Sequence, residues 1–371
     1  MKRFSVILTA AAMLSGLAIG CGGDKKGDAL IGIAIPEAHA ARWVKDGNAL
    51  KAEAEKRGYR AQVQHGDGNQ QIQNRQIQSF LNVGAKLLVV GPITDEIAPV
   101  IAEAAEKGVP VIAYDRLITN SADYDYFITF NNFKVGALMG EALAKALELD
   151  AATPDAPKYI TFFAGAPTDG NAFFVYDGAN SVLKPYIEKG TLKVVGPYPT
   201  TSADRENFLK VATENWQGSV AKARMEAMLK NEAANVTLDA VLAPNDALGL
   251  AIIEALQADE KYRDKLPLVT GQDAEFESAM MIKKGRQHCT VFKNTAKLAE
   301  AAIILADQIL KGQTPNIPGA VLATGDLAKI GDTGKKVVKT YLLDPVLITK
   351  DNLNIPIEAG FYTATEMAEL Q

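Results

Sequence analysis

Asp115 and Arg116 stand side by side in VPVIAYDRLITNS, directly after an apolar run that reads as a buried strand. Charged side chains are seldom fully buried unless paired. An acid and a base at a strand tip therefore either close the sheet as an ion pair or face a ligand together. The same residue types recur after other apolar runs. Asp169 and Asn171 follow KYITFFAG, Asn245 follows LDAVLAP, Asp273 follows LPLVTGQ, and Lys293 follows HCTVF. An Asp accepts a hydrogen bond from a hydroxyl, while Arg, Lys or Asn donates to the same oxygen. Such charge-assisted bonds are the strong ones.

Catalytic signatures are missing from the same stretches. No G-x-G-x-x-G follows the first strand, and no G-x-x-x-x-G-K-[ST], G-x-S-x-G or H-E-x-x-H occurs. GDTGKK (331–336) is too short between its glycines to be a phosphate loop. Of three histidines, His39 and His65 fall near strand ends, too few for a metal site without stronger spacing. No metal or cofactor is expected, and binding is favoured over turnover. Cys289, in the strand pattern HCTVF, reads as a buried structural thiol; a nucleophile needs a partnered base, and only His288 adjoins it, on the opposite strand face.

The elements that must position these residues alternate along the chain from Ala29. ALIGIAIP, YRAQVQHGD, AKLLVVGP and VPVIAYDR read as strands, with amphipathic helices between them. After DYFITFNN a second series runs from the helix FKVGALMGEALAKALEL to the strand HCTVFKN. Short continuous apolar strands separated by helices predict parallel sheets covered on both faces. About ten such strands exceed one comfortable sheet, so two α/β lobes are expected, with the break near Asn131–Phe133. In open parallel sheets ligands bind beyond the carboxyl ends of the strands. The polar residues above occupy those ends in both series. Asp246, first in its helix, reads as an N-terminal cap, and GALMG reads as close helix packing.

The 371-residue chain opens with Lys2 and Arg3, then an apolar stretch, FSVILTAAAMLSGLAIG, ending in AIGC at Cys21. This is the pattern of a secretory signal peptide (1–20). A small residue before a cysteine resembles a bacterial lipobox, which makes Cys21 the lipidation candidate; ordinary cleavage leaving a free cysteine is the alternative. GGDKKGD (22–28) then reads as a flexible tether. Removing Lys2 and Arg3 takes the formal net charge from −5 to −7. An acidic balance disfavours nucleic acid, whose binders carry a basic face. No later apolar run is long enough to span a bilayer.

A polyhydroxylated sugar satisfies many donor–acceptor pairs at once and offers apolar C–H faces to aromatic rings. The two tryptophans, Trp43 and Trp216, both fall near strand-end loops. At this point the chain resembles the type I periplasmic sugar-binding proteins of ABC transporters, in particular the multiple-sugar-binding and xylose-binding branch. GIAIPEAHAARWVKDG, VIAYDRLITNS, ITFNNFKVG, NAFFVYDGANSVLKPYI, LAPNDALGLAIIEAL, VTGQDAE and TVFKNT carry the resemblance. It implies two Rossmann-like lobes joined by three crossing segments, with residues 29–131 plus 295–340 in one lobe and 132–294 plus 341–371 in the other. Lys293–Asn294 and the stretch 339–352 supply two of the crossings. It further implies that Arg42, Trp43, Asp115 and Arg116 bind the sugar from the first lobe. Asn171, Trp216, Asn245, Asp273 and Lys293 do so from the second, with Asp169 an extra contact.

The function implied is the substrate-binding lipoprotein of an ABC importer for monosaccharides, aldoses such as glucose, galactose, xylose or arabinose. It would be monomeric and tethered in the periplasm or at the outer face of the cytoplasmic membrane. Its partner is the membrane permease. The alternative is a sensor that presents a sugar or autoinducer to a chemoreceptor or sensor kinase. A related repressor would carry a DNA-binding helix-turn-helix where this chain has a signal peptide.

Overall fold

The computed structural model describes residues 29–38 and 41–370; the signal segment, the tether with Cys21, and His39 lie outside the described residues. The first series comprises β1 (Leu30–Ile35), α1 (Ala41–Lys56), β2 (Arg60–His65), α2 (Gln70–Asn82), β3 (Leu87–Val90), α3 (Ala98–Glu106), β4 (Val111–Tyr114) and β5 (Tyr126–Phe130). The second comprises α4 (Asn132–Ala146), β6 (Lys158–Phe162), α5 (Gly170–Lys189), β7 (Leu192–Val194), α6 (Arg205–Val211), α7 (Gly218–Lys230), β8 (Ala240–Leu242), α8 (Asp246–Ala258), β9 (Leu268–Val269), α9 (Phe276–Lys283) and β10 (Thr290–Phe292). The tail adds α10 (Thr295–Leu310), β11 (Ala320–Leu322), β12 (Lys339–Leu343), β13 (Val346–Ile348), α11 (Asn354–Glu358) and α12 (Ala364–Leu370).

Strand β1 shows why the first sheet is covered on both sides. All six residues of LIGIAI are buried. Successive side chains of a strand point to opposite faces. Ile31, Ile33 and Ile35 accordingly pack with Leu50 of α1 and Leu298 and Ile303 of α10. Leu30 and Ala34 pack with Ile77 and Phe80 of α2 and Ile101 of α3. The sheet runs β11-β12-β5-β4-β3-β1-β2, parallel throughout except for β11 at its edge. The second sheet runs β7-β6-β8-β9, also parallel. A parallel bridge between Gln272 and Val291 brings β10 alongside, and β13 pairs with β10 antiparallel.

The chain passes between the two sheets after β5, between β10 and α10, and between β12 and β13. Asn131 and Asn294 close the first two passages by capping α4 and α10, accepting from the Lys134 and Lys297 N–H groups. The third passage falls within the expected stretch 339–352, a few residues beyond the lobe boundary at 340. Strand β12 stays beside β5 as far as the Leu343–Phe130 pair, so the crossing is at Asp344–Pro345 rather than after residue 340. Pairing with β5 holds the chain in the first sheet until Pro345, which lacks the N–H to continue a ladder.

Helices α4 and α5 cross with backbones almost touching. A Cβ on Gly136 would lie 1.8 Å from the Val175 carbonyl oxygen, and one on Gly178 would lie 2.0 Å from that of Phe133. The GALMG segment is therefore a packing surface, and it fixes the N-terminus of α5 next to the tip of β4.

Candidate ligand-binding cleft

A cleft of about 360 Å3 lies between the carboxyl ends of the two sheets, and all ten candidate residues line it. Such a volume falls in the range of small-molecule sites, roughly 300–1,000 Å3. Arg42 and Trp43 come from the first turn of α1, and Asp115 and Arg116 from the tip of β4. Asp169 and Asn171 begin α5, Trp216 sits in a one-turn 3-10 helix, and Asn245 precedes α8. Asp273 and Lys293 follow β9 and β10.

Asp115 and Arg116 do not pair with each other. Arg42 Nη2 stands 2.6 Å from Asp115 Oδ1, and Arg42 Nε stands 3.6 Å from Asp46 Oδ2. Arg116 Nε reaches across to Asp169 Oδ2 at 3.1 Å, and Lys293 Nζ meets Asp273 Oδ1 at 3.3 Å. Asn171 Nδ2 donates to the Asp115 carbonyl at 3.0 Å, and Asn132 Nδ2 donates to Asn171 Oδ1 at 2.8 Å. The tip of β4 is thus gripped by side chains from the second series. Both arginines also stack on Trp43, their guanidinium carbons 4.6 Å (Arg42) and 5.2 Å (Arg116) from its ring centre. Cation–π contact of this kind orients the guanidinium as well as the ring.

Backbone strain concentrates here. Asp115 (φ 61°), Asn215 (49°), Trp216 (54°) and Asp273 (95°) all adopt the left-handed region. Such conformations cost about 1–3 kcal/mol each and persist where surrounding structure enforces them. At Asp115 the enforcement is visible: its N–H donates to Ile128, and its carbonyl accepts from the Thr129 hydroxyl. The Trp216 ring lies against Gly165, where a Cβ would fall 2.1 Å from it. Trp216 Nε1 and Gln272 Oε1 are buried without a hydrogen-bond partner among the described residues. Unpaired buried polar atoms are rare enough to call for a reason.

The electrostatics are those of a pre-charged wall. Burial acts to raise the Asp115 carboxyl, but Arg42 and then Lys293 overcome it and hold the group below its usual value. Arg42 likewise stays cationic, because Asp115, Asp46 and Asp273 outweigh its burial. Behind it, burial raises Asp46 to about 6 against the pull of Arg42. Burial and then Asp273 raise Glu275 to about 7.

Asp246 is not the cap of α8. Asn245 is, accepting from the Leu248 N–H. Asp246 is instead fully buried behind the cleft, held by the Glu275 N–H and the Thr290 and Gln287 side chains. The Cys289 thiol, buried beside it, is pushed up to about 12, first by burial and then by Asp246. That state is inert rather than nucleophilic.

Six polar lining residues were not singled out from sequence: Glu37, Thr168, Asn215, Gln217, Gln272 and Glu275. Glu37, Thr168 and Gln272 lie in strand-end stretches, so the strand-end rule reaches them. Asn215 and Gln217 flank Trp216 in a turn with no periodic signal.

Two α/β layers, three passages of chain and a polar cleft between strand ends define a two-lobed binding protein. A family model described as a periplasmic binding protein domain matches residues 31–314, and the chain belongs to that family. The chain is 38% identical over 341 residues to the multiple sugar-binding periplasmic receptor ChvE of Rhizobium radiobacter, covering 91% of this chain and 92% of that protein. It is 33% identical over 339 residues to the D-xylose-binding periplasmic protein of Escherichia coli, with 91% and 92% covered. Among solved structures, a solute-binding protein from Clostridium phytofermentans with bound β-D-glucose superposes with a TM-score of 0.80 at 35% identity, covering 91% of this chain and 99% of that one. One from Chloroflexus aurantiacus, in complex with D-glucose, gives 0.80 at 30% identity, with 91% and 98% covered.

Proposed function

We propose that this protein captures a monosaccharide, an aldose, in the cleft and delivers it to an ABC importer. One observation carries the reading. Ten side chains from two separate sheets converge on one cleft, and each of its three cations is already matched to a carboxylate. That arrangement offers donors and acceptors side by side with little net charge, which suits neutral hydroxyls. The relatives with bound or named sugars point the same way.

In this reading Asp115 and Asp273 accept from hydroxyls. Arg42, Arg116, Lys293, Asn171 and Asn245 donate. Trp43 and Trp216 cover the apolar ring faces, and Asp169 aligns Arg116. The lobes close on the sugar by hinge motion, as in periplasmic binding proteins generally, and the closed form docks on a membrane permease. The chain is exported and held at the membrane by a lipid on Cys21. Calorimetric titration with glucose, galactose, xylose and arabinose tests the assignment: binding of at least one is expected, and no heat with any of them overturns it. Incorporation of labelled palmitate that disappears in Cys21→Ser tests the anchor.

The word receptor in the name of the Rhizobium relative supports a second reading, in which the loaded protein signals to a membrane sensor. Crosslinking of the sugar-loaded protein in its own membranes separates the two by which partner is recovered.

A further inference from the structure

The turn that presents Asp273 to the cleft contains two consecutive non-glycine residues in the left-handed region, Asp273 (φ 95°) and Ala274 (52°). Such a backbone persists only where its surroundings enforce it. Four hydrogen bonds do so. The Asp273 N–H donates to the Val291 carbonyl at 2.9 Å, and the Ala274 N–H donates to the Thr290 hydroxyl at 3.2 Å. That hydroxyl in turn donates to Asp246 Oδ2, which also accepts from the Glu275 N–H. The fourth bond comes from much farther along the chain. Tyr362, between α11 and α12, donates its hydroxyl to the Ala274 carbonyl at 2.8 Å. Its ring is set edge-on between Phe276 and Phe361, with centres 6.3 Å and 5.5 Å away. Tyr362 and Thr290 are both buried, and neither lines the cleft.

We infer that Tyr362 and Thr290 are positioning residues of the sugar site, placing the Asp273 carboxylate without touching the ligand; this rests on the sugar-binding reading above. An aspartate side chain is short, so its carboxylate goes where its backbone puts it. Groups that bind a ligand work only when their supports hold them to within a fraction of an ångström. Removing the Tyr362 hydroxyl leaves the buried Ala274 carbonyl without its donor, a costly state. The carbonyl regains a partner only if the turn rotates. Rotation there carries the Asp273 carboxylate out of its place in the wall, 3.3 Å from Lys293 Nζ. Loss of the Thr290 hydroxyl acts on the same turn from the other side, through the Ala274 N–H.

The test is calorimetric titration of the full mature chain with the tightest binder among glucose, galactose, xylose and arabinose, alongside thermal denaturation. In Tyr362→Phe and in Thr290→Val affinity should fall about tenfold. Tyr262 supplies the matched control: its buried hydroxyl accepts from the Leu238 N–H at 2.8 Å, and it does not line the cleft. Tyr262→Phe should lower the melting temperature to a similar extent and leave affinity within about twofold. Action through Asp273 has its own signature. In an Asp273→Asn background the loss caused by Tyr362→Phe should shrink to about threefold, because a neutral hydrogen bond is about half as strong as a charge-assisted one. Unchanged affinity in either variant, an equal loss in Tyr262→Phe, or an undiminished loss in the Asp273→Asn background overturns the inference. Should Tyr362→Phe fail to fold, Thr290→Val decides by the same criteria. A wild-type chain that binds none of the four sugars overturns the sugar reading and this inference with it. Wild-type binding with unaffected variants overturns this inference alone.

Discussion

Each wall of the cleft is backed by one fully buried acid, and the two are held by different means. Asp46, on α1, stands behind the first wall with Arg42 at 3.6 Å; burial brings it to about 6, and the Thr295 and Tyr114 hydroxyls soften that rise. Asp246 stands behind the second wall with no cation among the described residues in ion-pair contact. It is satisfied by three neutral donors, and burial, with Glu275 and Asp273, raises it well above its ordinary value. The first wall is thus an alternating chain of charges, Asp46–Arg42–Asp115. The second is a hydrogen-bonded mount for loops whose shape depends on left-handed residues at Asn215, Trp216 and Asp273. Removing a member of the first wall strands a charge. Removing a support from the second lets a loop move.

The sharpest way to break the comparison is Asp115→Ala. It leaves Arg42 with only the longer contact to Asp46, so stability should fall by about 3 kcal/mol, the usual cost of breaking a buried pair. Sugar affinity should fall at least about a hundredfold, since truncating a buried, hydrogen-bonded charge typically costs more than 2 kcal/mol. Thermal denaturation and titration read the two separately, and intact affinity would remove Asp115 from the site.

Gly165→Ala probes the second wall. A Cβ there collides with the Trp216 ring, so the ring must shift and affinity should drop about tenfold, within the worth of one buried aromatic anchor. A changed ligand-induced tryptophan emission is the accompanying sign. Unchanged affinity would mean that the ring does not touch the ligand.

The buried acids also give a pH signature. Asp46 rises from 3.8 to about 6 on folding. The folded state therefore favours its protonated form. The stability this contributes is complete below about pH 4 and is lost as pH climbs through about 6. At 1.36 kcal/mol per unit it amounts to about 3 kcal/mol. Asp115 is shifted the other way, so its contribution is present above its unfolded value and is lost on acidification below pH 4. Asp46→Asn should flatten the melting curve between pH 4 and 6 relative to wild type. Parallel curves would place the titration elsewhere.

The smallest effect is expected at the bridge between the walls. In Asp169→Asn the amide can still cap α5 while the ion pair with Arg116 is lost. The pair is only 20% and 8% exposed, but the amide fills the same space and keeps the cap, so the stability change should stay below about 2 kcal/mol. Affinity should shift only a few-fold; a larger loss would make Asp169 a direct ligand contact.

Much of this was legible in the sequence. Apolar runs such as LIGIAI and VIAY announce strands buried on both faces, and polar residues at their carboxyl ends announce where a ligand sits. Geometry at turns was not legible. Trp216 stands in a turn whose two left-handed residues follow no periodic rule. The edge strand β11 is three half-exposed or exposed residues, too short to signal itself. Asp246 looked like a cap because it opens a helix; the cap went to Asn245, and only tertiary packing reveals the buried donors around its neighbour. Glu275 lies beyond the strand-end residues and enters the cleft because Asp273 and Ala274 both turn left-handed.

The pairing of β12 with β5 has a consequence for how the molecule is made. Strand β5 ends at Phe130, and the strand that covers its outer side does not begin until Lys339. Helix α10, which roofs one face of the same sheet, also arrives only after the whole second series. A ribosome therefore releases the first half with an open sheet edge and an uncovered apolar face. Contacts so distant along the chain form slowly. Until its last segment is synthesised, the first half therefore stays short of its native sheet.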